Sequence, residues 1–317
     1  MIEAVPYDSS AAQAWDELVT EAPMATFMHS RRFIAYHGDR FEDASLMFRD
    51  RKGLAGVLPA ALDPADRQRV ISHTGATYGG VVHNGALNGH RMLEAMEAAR
   101  SAYSALGLRS LTYKAVPWIY HRVPSDEDLY ALFRLGAARN RVDLSCAIDL
   151  EADRQPPTKR RRRGRRRALN RGLELSEAPD LVPEYWRLLE QNLISRHGVK
   201  PTHTLEEILR IRDLFPEDVR FIMGTLDGEV VAGTVLFLSP RVAHVQYNAT
   251  NDAGRETGAM DGVHAHSIEE ASRAGRRFFD FGISTEAAGR QLNEGLYRFK
   301  AEFGGGGVAY EFYELPL

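Results

Sequence analysis

The stretch Arg276-Arg277-Phe278-Phe279-Asp280-Phe281-Gly282-Ile283-Ser284-Thr285-Glu286, followed by Leu292-Asn293-Glu294-Gly295-Leu296-Tyr297-Arg298-Phe299-Lys300-Ala301-Glu302-Phe303-Gly304-Gly305, decides how this chain is read. Its first part is rich in aromatics and alternates apolar with polar residues, the pattern of a strand. The run stops at a glycine and a polar turn, and a short helical pattern carrying Lys300 follows. Such a strand leaves Asp280 and the free backbone around Gly282 at the carboxyl end of a sheet. Open α/β sheets bind ligands there. One wall of an active site is therefore expected here.

Upstream, a helix over 258–274 places Met260, Val263, Ile268 and Ala271 on one face and ends at Gly275. Strands are expected over 221–226 and 230–238, joined by the hairpin pair Asp227-Gly228, and again over 242–250. Tyr185, Leu188, Leu189 and Leu193 mark one earlier helix, and Thr204 with Glu207 forms a capping box for the next. A last strand over 308–313 completes the sheet.

The first half repeats this order. A helix surrounds Trp15, Leu18 and Val19, and a hairpin turns at Lys52-Gly53. A glycine-rich loop over 72–80 precedes a helix through Met92, Leu93, Met96 and Tyr103, then a strand over 108–114. Ser125 with Asp128 has capping-box spacing, and a strand over 142–150 closes the half. The repeat is one of pattern, without sequence identity beyond a glycine. The expected fold class is α/β (α+β mixed sheets) in two tandem halves, 1–152 and 153–317. Pro156-Pro157 and the arginine run beside them mark the boundary, because prolines and dense like charge resist packing.

Composition agrees. The chain has 317 residues, 44% hydrophobic and 26% charged, enough for two ordinary cores. The lone Cys146 excludes an internal disulfide, fits a reducing compartment and, in an alternating run, reads as a buried strand thiol. No basic segment with an apolar core opens the chain, and no apolar run approaches ~18 residues, so a cytoplasmic location without a membrane span is expected. Residues 159–167 read Lys-Arg-Arg-Arg-Arg-Gly-Arg-Arg-Arg; with a net charge of −3, the remainder is markedly acidic.

The element order resembles the GNAT acyltransferase superfamily. Phe279-Asp280-Phe281-Gly282 and Leu296-Tyr297-Arg298-Phe299-Lys300-Ala301-Glu302-Phe303-Gly304 look like the Fem-type aminoacyltransferases of peptidoglycan bridge synthesis, which consist of two GNAT-like halves. The segments 72–80 and 282–292 also resemble double-GNAT proteins of polysaccharide gene sets. The Fem resemblance implies transfer of an amino acid from aminoacyl-tRNA to an amine, with Lys300 as the catalytic lysine, Phe299 beside it, and an acceptor-binding first half. Two departures matter. The pyrophosphate loop of coenzyme A-dependent GNAT enzymes, Gln/Arg-x-x-Gly-x-Gly/Ala, reads Arg255-Glu256-Thr257-Gly258-Ala259-Met260 here, with methionine in the sixth place. No spacing leaves room for the helical-hairpin arm of many Fem proteins.

Acyl transfer to an amine needs a proton acceptor and a donor for the developing oxyanion. Lys300 suits the second duty, toward the oxyanion or the leaving 3′-oxygen, although a helix-surface lysine would look the same. Asp280 reads either as the proton acceptor or as a cap of the turn at 282–284. Glu286 and Asn293 are placed to orient substrate. Gly75, Gly79 and Gly80 with Tyr78 could form a nest of amides for phosphate, or simply a turn. Lys114 and Arg122 are candidate clamps for a phosphate or sugar nucleotide. His244 and Gln246 share a strand face and either line the cleft or pack in the core. Eleven histidines fall into no metal-ligand spacing: His264 and His266 point apart, and His197 and His203 fall in separate turns. No metal and no permanently bound cofactor is expected. Arg160, Arg161, Arg162, Arg163, Arg165 and Arg166 suit phosphate, as a tRNA acceptor end would offer; the bland alternative is a solvated connector. The expectation is an acyltransferase of the 2.3 class, with aminoacyl-tRNA as donor and an amine on a small, sugar-linked or peptide acceptor. Acetyl- or acyl-CoA is the alternative donor, and an RNA-binding protein that kept the fold without catalysis is the rival from another class.

Overall fold

The computed structural model describes the backbone of residues 1–317 and the side chains of all but 196 and 197, so the His197 side chain lies outside the described residues. Contacts divide the chain into two compact units. The first comprises Met1–Leu144, Thr285–Gln291 and Ala309–Leu317; the second comprises Ser145–Ser284 and Leu292–Val308.

Up to the first boundary the elements are β1 (Glu3–Pro6), α1 (Ala12–Glu21), α2 (Arg31–Ile34), β2 (Leu46–Asp50), β3 (Gly53–Leu58), β4 (Ala60–Asp63), β5 (Asp66–Ser72), β6 (Val82–His83), α3 (His90–Ala105), β7 (Ser110–Lys114), α4 (Glu127–Arg134) and β8 (Ala138–Asp149). Then follow α5 (Lys159–Asn170), β9 (Glu174–Glu177), α6 (Val182–His197), α7 (Leu205–Leu214), β10 (Val219–Leu226), β11 (Glu229–Leu238), β12 (Val242–Thr250), α8 (Asp252–Thr257), α9 (Ala259–Arg273), β13 (Phe278–Ile283), β14 (Thr285–Glu286), β15 (Gln291–Leu292), α10 (Glu294–Ala301) and β16 (Gly306–Pro316).

In the first unit β1-β2-β3-β6 form one antiparallel sheet, and β4-β5-β7-β16 follow one another with β5 and β7 parallel. The apolar face of α3, with Met92, Met96 and Tyr103, closes on Phe48, Leu58, Val70 and Leu111. Burying such side chains contributes roughly 1.5–3 kcal/mol each. Trp15, Leu18 and Val19 of α1 build a second, smaller cluster.

In the second unit the strand order is β8-β13-β12-β11-β10-β9, with β12 and β13 parallel and the other neighbours antiparallel. The β10–β11 hairpin turns on Asp227 and Gly228, both at positive φ (50° and 83°). Two successive positive φ values define the turn whose twist matches a two-residue hairpin, which is why this pair marks it. Val263, Ile268 and Ala271 of α9 pack on Leu236, Val245 and Phe279.

Three segments depart from the reading of the sequence. The 125–128 spacing makes no capping box: Asp126 is the N-cap of α4 without a side-chain cap bond, and the Asp128 carboxylate accepts the Tyr113 hydroxyl instead. Residues 252–257 form the helix α8, capped by Asn251 Oδ1 accepting from Gly254 N–H at 2.8 Å. The arginine run packs rather than resisting packing, because it is helical over α5. Arginine has good helix propensity. Arg161, Gly164 and Ala168 fall on one buried face at i, i+3 and i+7.

Candidate active site

Strands β12 and β13 pair over only three positions, and the last is His244 with Asp280. Both strands continue past that point, β12 to Thr250 and β13 to Ile283, so pairing ends where the polar side chains begin. β12 carries a register shift against β11 there, leaving Gln246 as the extra residue between Val245 and Tyr247. A bulge bends its strand and re-aims side chains.

Asp280 is fully buried and saturated with donors. It accepts from the Ser145 hydroxyl on β8, from the Gly282 amide at 3.1 Å and from His244 Nδ1 at 2.7 Å. The bond from Gly282 is the turn cap that the sequence allowed. Gly282 itself sits at φ 75°, and a Cβ there would lie 3.4 Å from His244 Cε1. A side chain would therefore be strained by the backbone, while touching the imidazole only in ordinary contact.

Lys300 is the one fully buried residue of α10. Its ammonium donates to the Gly282 carbonyl at 2.8 Å and to the Ile283 carbonyl at 2.6 Å. Two of its three N–H groups are thus fixed, leaving one. Burial pushes Lys300 down from 10.5 to about 8, against the opposing pull of Asp280. Asn293 caps α10, its Oδ1 accepting from Leu296 N–H at 3.0 Å, so its part here is to set the helix that carries Lys300. Phe299 faces inward, under the Arg161 guanidinium at 4.8 Å and beside His264. Cys146 is a buried strand thiol, pushed up to about 12 by burial.

The remaining expected residues are placed as follows. Gln246 lies half-buried at the bulge, and Glu286 is exposed on β14. In the first unit the Gly79 amide donates to the Lys114 carbonyl at 3.0 Å, and its carbonyl bonds His29 Nε2 at 3.1 Å. The Val81 amide is taken by the Tyr113 hydroxyl. The loop's amides at 79 and 81 are therefore spent internally, unlike an open phosphate nest. Tyr78 is buried, with its hydroxyl 3.4 Å from Thr26 Oγ1. The Lys114 ammonium is buried against the Ala76 carbonyl and pushed to about 7 by burial and by Arg141. Arg122 is exposed and donates to the Glu21 carbonyl.

These two lysines set a sign for stability against pH. Both have folded values below their ordinary 10.5, so the unfolded chain binds more protons between about 7 and that value. Stability contributed by these groups rises with pH through that window. The wild type is expected to gain stability from pH 7 to pH 9 relative to Lys114→Met, read as denaturation midpoints at each pH.

The segment that would cradle a pyrophosphate is covered. At Gly258 a Cβ would meet the Gly164 carbonyl at 2.9 Å and its Cα at 3.1 Å, so α5 lies directly on the N-terminus of α9. Arg161 Nη1 pairs with Asp261 at 2.6 Å and its Nε with Glu302 at 2.8 Å, while Arg167 Nε reaches the Thr257 carbonyl at 3.0 Å. Arg161 is accordingly a buried structural cation rather than an exposed one. Arg165 pairs with Glu269, and Arg160 lies 4.0 Å from Glu302. Lys159, Arg162, Arg163 and Arg166 form the outward stripe, at i, i+3, i+4 and i+7. Among the described residues no group of metal-ligating side chains occurs, and no helix is long and apolar enough to cross a membrane.

Sequence reasoning under-read His244 and missed Ser145. Their signal is tertiary: His244 and Asp280 are 36 residues apart and meet only because β12 and β13 are parallel neighbours.

Residues 158–300 match the family model described as an acetyltransferase (GNAT) domain. No curated protein matches the sequence. Among solved structures the chain is similar to FemX, at 12% identity and a TM-score of 0.72, covering 99% of this chain and 97% of that one. It is similar to L-PGS from Bacillus licheniformis, at 13% identity and a TM-score of 0.62, covering 98% and 92%. A tandem GNAT protein from the clavulanic acid biosynthesis pathway matches at 13% identity and a TM-score of 0.54, covering 100% and 98%. Residues 158–300 thus match a GNAT domain, and along its length the chain shares the fold of FemX and of the tandem GNAT protein.

Proposed function

We propose that this protein transfers an aminoacyl group from aminoacyl-tRNA to an amine on a small, sugar-linked or peptide acceptor. The observation that carries the reading is the seat of α5. It covers the α9 N-terminus, where a GNAT enzyme would hold the coenzyme A pyrophosphate, and turns four cations outward. Phosphates of a polynucleotide suit such a stripe, since each neutralised phosphate releases counterions. The acyl carbonyl would lie beside the Gly282 turn, with the third N–H of Lys300 donated to its oxygen as charge develops. No metal or permanently bound cofactor enters this scheme.

The donor is tested by incubating the protein with labelled aminoacyl-tRNA, or with labelled acetyl-CoA, and a panel of amino sugars and peptides. Labelled amide from the tRNA ester is expected. Amide from acetyl-CoA alone would replace the proposed donor by coenzyme A, which the match to an acetyltransferase domain would favour.

The stripe makes a separate prediction. Replacing Arg162, Arg163 and Arg166 together by Gln is expected to lower the slope of log affinity against log salt by about 2–3. Filter binding of tRNA at several salt concentrations reads it, and an unchanged slope would remove α5 from the interface.

A further inference from the structure

The carboxylate of Asp280 is poorly placed to take a proton from substrate. It is completely buried, and Ser145, Gly282 and His244 already donate to it. The group it holds is better placed. His244 donates Nδ1–H to Asp280 at 2.7 Å, so whenever the ring is neutral its Nε2 carries the free lone pair. Nε2 has no hydrogen-bond partner among the described residues, and the side chain keeps 10% of its surface exposed. The Cε1 edge of the ring faces Gly282, whose carbonyl binds Lys300. Imidazole and ammonium thus flank one backbone turn.

Resting on the acyl-transfer reading of this site, we propose that His244 Nε2 accepts the proton of the attacking amine, with Asp280 and Ser145 as positioning residues. The amine nitrogen bonds to the acyl carbon, and its proton passes to Nε2. The imidazolium so formed lies against the Asp280 carboxylate. As the oxyanion then re-forms the carbonyl, the bond from the acyl carbon to the leaving oxygen breaks. The proton on Nε2 moves to that oxygen, and the neutral imidazole is restored. The oxyanion between these steps belongs to Lys300. Ser145 holds the second carboxylate oxygen, so Asp280 cannot rotate away from the ring.

The test uses the full-length protein with whichever donor the wild type consumes. His244→Gln is expected to lower kcat ~10²–10⁴-fold toward strongly basic amines. The deficit shrinks toward weakly basic amines such as methoxyamine, whose adduct sheds its proton to water. A purely structural role would lower both alike. Asp280→Asn is the second variant, in case His244→Gln folds poorly, and it should give the same amine-dependent deficit. Independently of turnover, ¹⁵N resonances of His244 are expected to report Nδ1–H and a bare Nε2 in the wild type and a changed tautomer in Asp280→Asn. Protonated Nε2 in the neutral ring, or an equal deficit for all amines, overturns the proposal. A wild type inert toward both donors with the expected tautomer would instead refute the acyl-transfer reading while leaving the His244–Asp280 pair intact.

Discussion

Replacing Lys300 by methionine is expected to reduce turnover by ~10²–10³-fold while leaving the chain folded. Methionine keeps the length and apolar stem of lysine, and the site already disfavours the charge, holding it at about 8 instead of 10.5. Removing the ammonium therefore relieves a desolvation cost while depriving the Gly282 and Ile283 carbonyls of a donor. The kinetic loss is larger because, in the proposed role, the third N–H bonds an oxygen whose negative charge develops only as the transition state is reached. The loss should fall on kcat, with KM for both substrates close to wild type. The pH profile supplies a second reading. Below about pH 8 Lys300 is an ammonium; as pH rises through that value it deprotonates, and wild-type turnover should fall on that limb. Lys300→Arg, which stays charged, should lose the limb. Turnover of Lys300→Met within threefold of wild type would end the proposed role.

Arg161→Met is expected to destabilise the second unit by ~3–5 kcal/mol, because it strands buried carboxylates. Arg161 is 8% exposed and its partners Asp261 and Glu302 are 9% and 18% exposed. Burial already pushes Asp261 up despite the neighbouring guanidinium, so losing that cation leaves the carboxylate at a helix start with no strong partner. Arg162→Met, on the outward stripe, should change stability by no more than about 0.5 kcal/mol. Adding Asp261→Asn to Arg161→Met should recover part of the loss, since one unpaired charge then disappears. Denaturant midpoints for the three chains decide the matter. Equal effects at 161 and 162 would mean that α5 is a solvated connector after all.

Local chemistry made much of the fold legible. Asp227-Gly228 announced its hairpin because few other residue pairs tolerate two positive φ values. Thr204 and Glu207 announced α7 because both halves of the capping box lie within four residues. The same spacing at Ser125 and Asp128 misled, because Tyr113, on a strand, claims the Asp128 carboxylate. The flanking pattern singles out Lys300 in the sequence, whereas nothing there announces the pairing of Asp280 with His244. Strand alternation marks both as polar positions but does not say that β12 and β13 are parallel neighbours. The arginine run misled for a related reason. Its neutralising partners, Asp261, Glu269 and Glu302, lie far along the chain.

Those separations also fix the order of assembly during synthesis. When Arg161 emerges from the ribosome, Asp261 is still 100 residues behind it, and Glu302 emerges later again. Until then α5 has no acidic surface to dock on, and its like charges oppose a compact state. A nascent chain arrested before residue 261 should therefore expose the arginine run to trypsin, whereas the finished protein should shield Arg161. The helix that closes the second unit is among its earliest residues to be made and among its last to be seated.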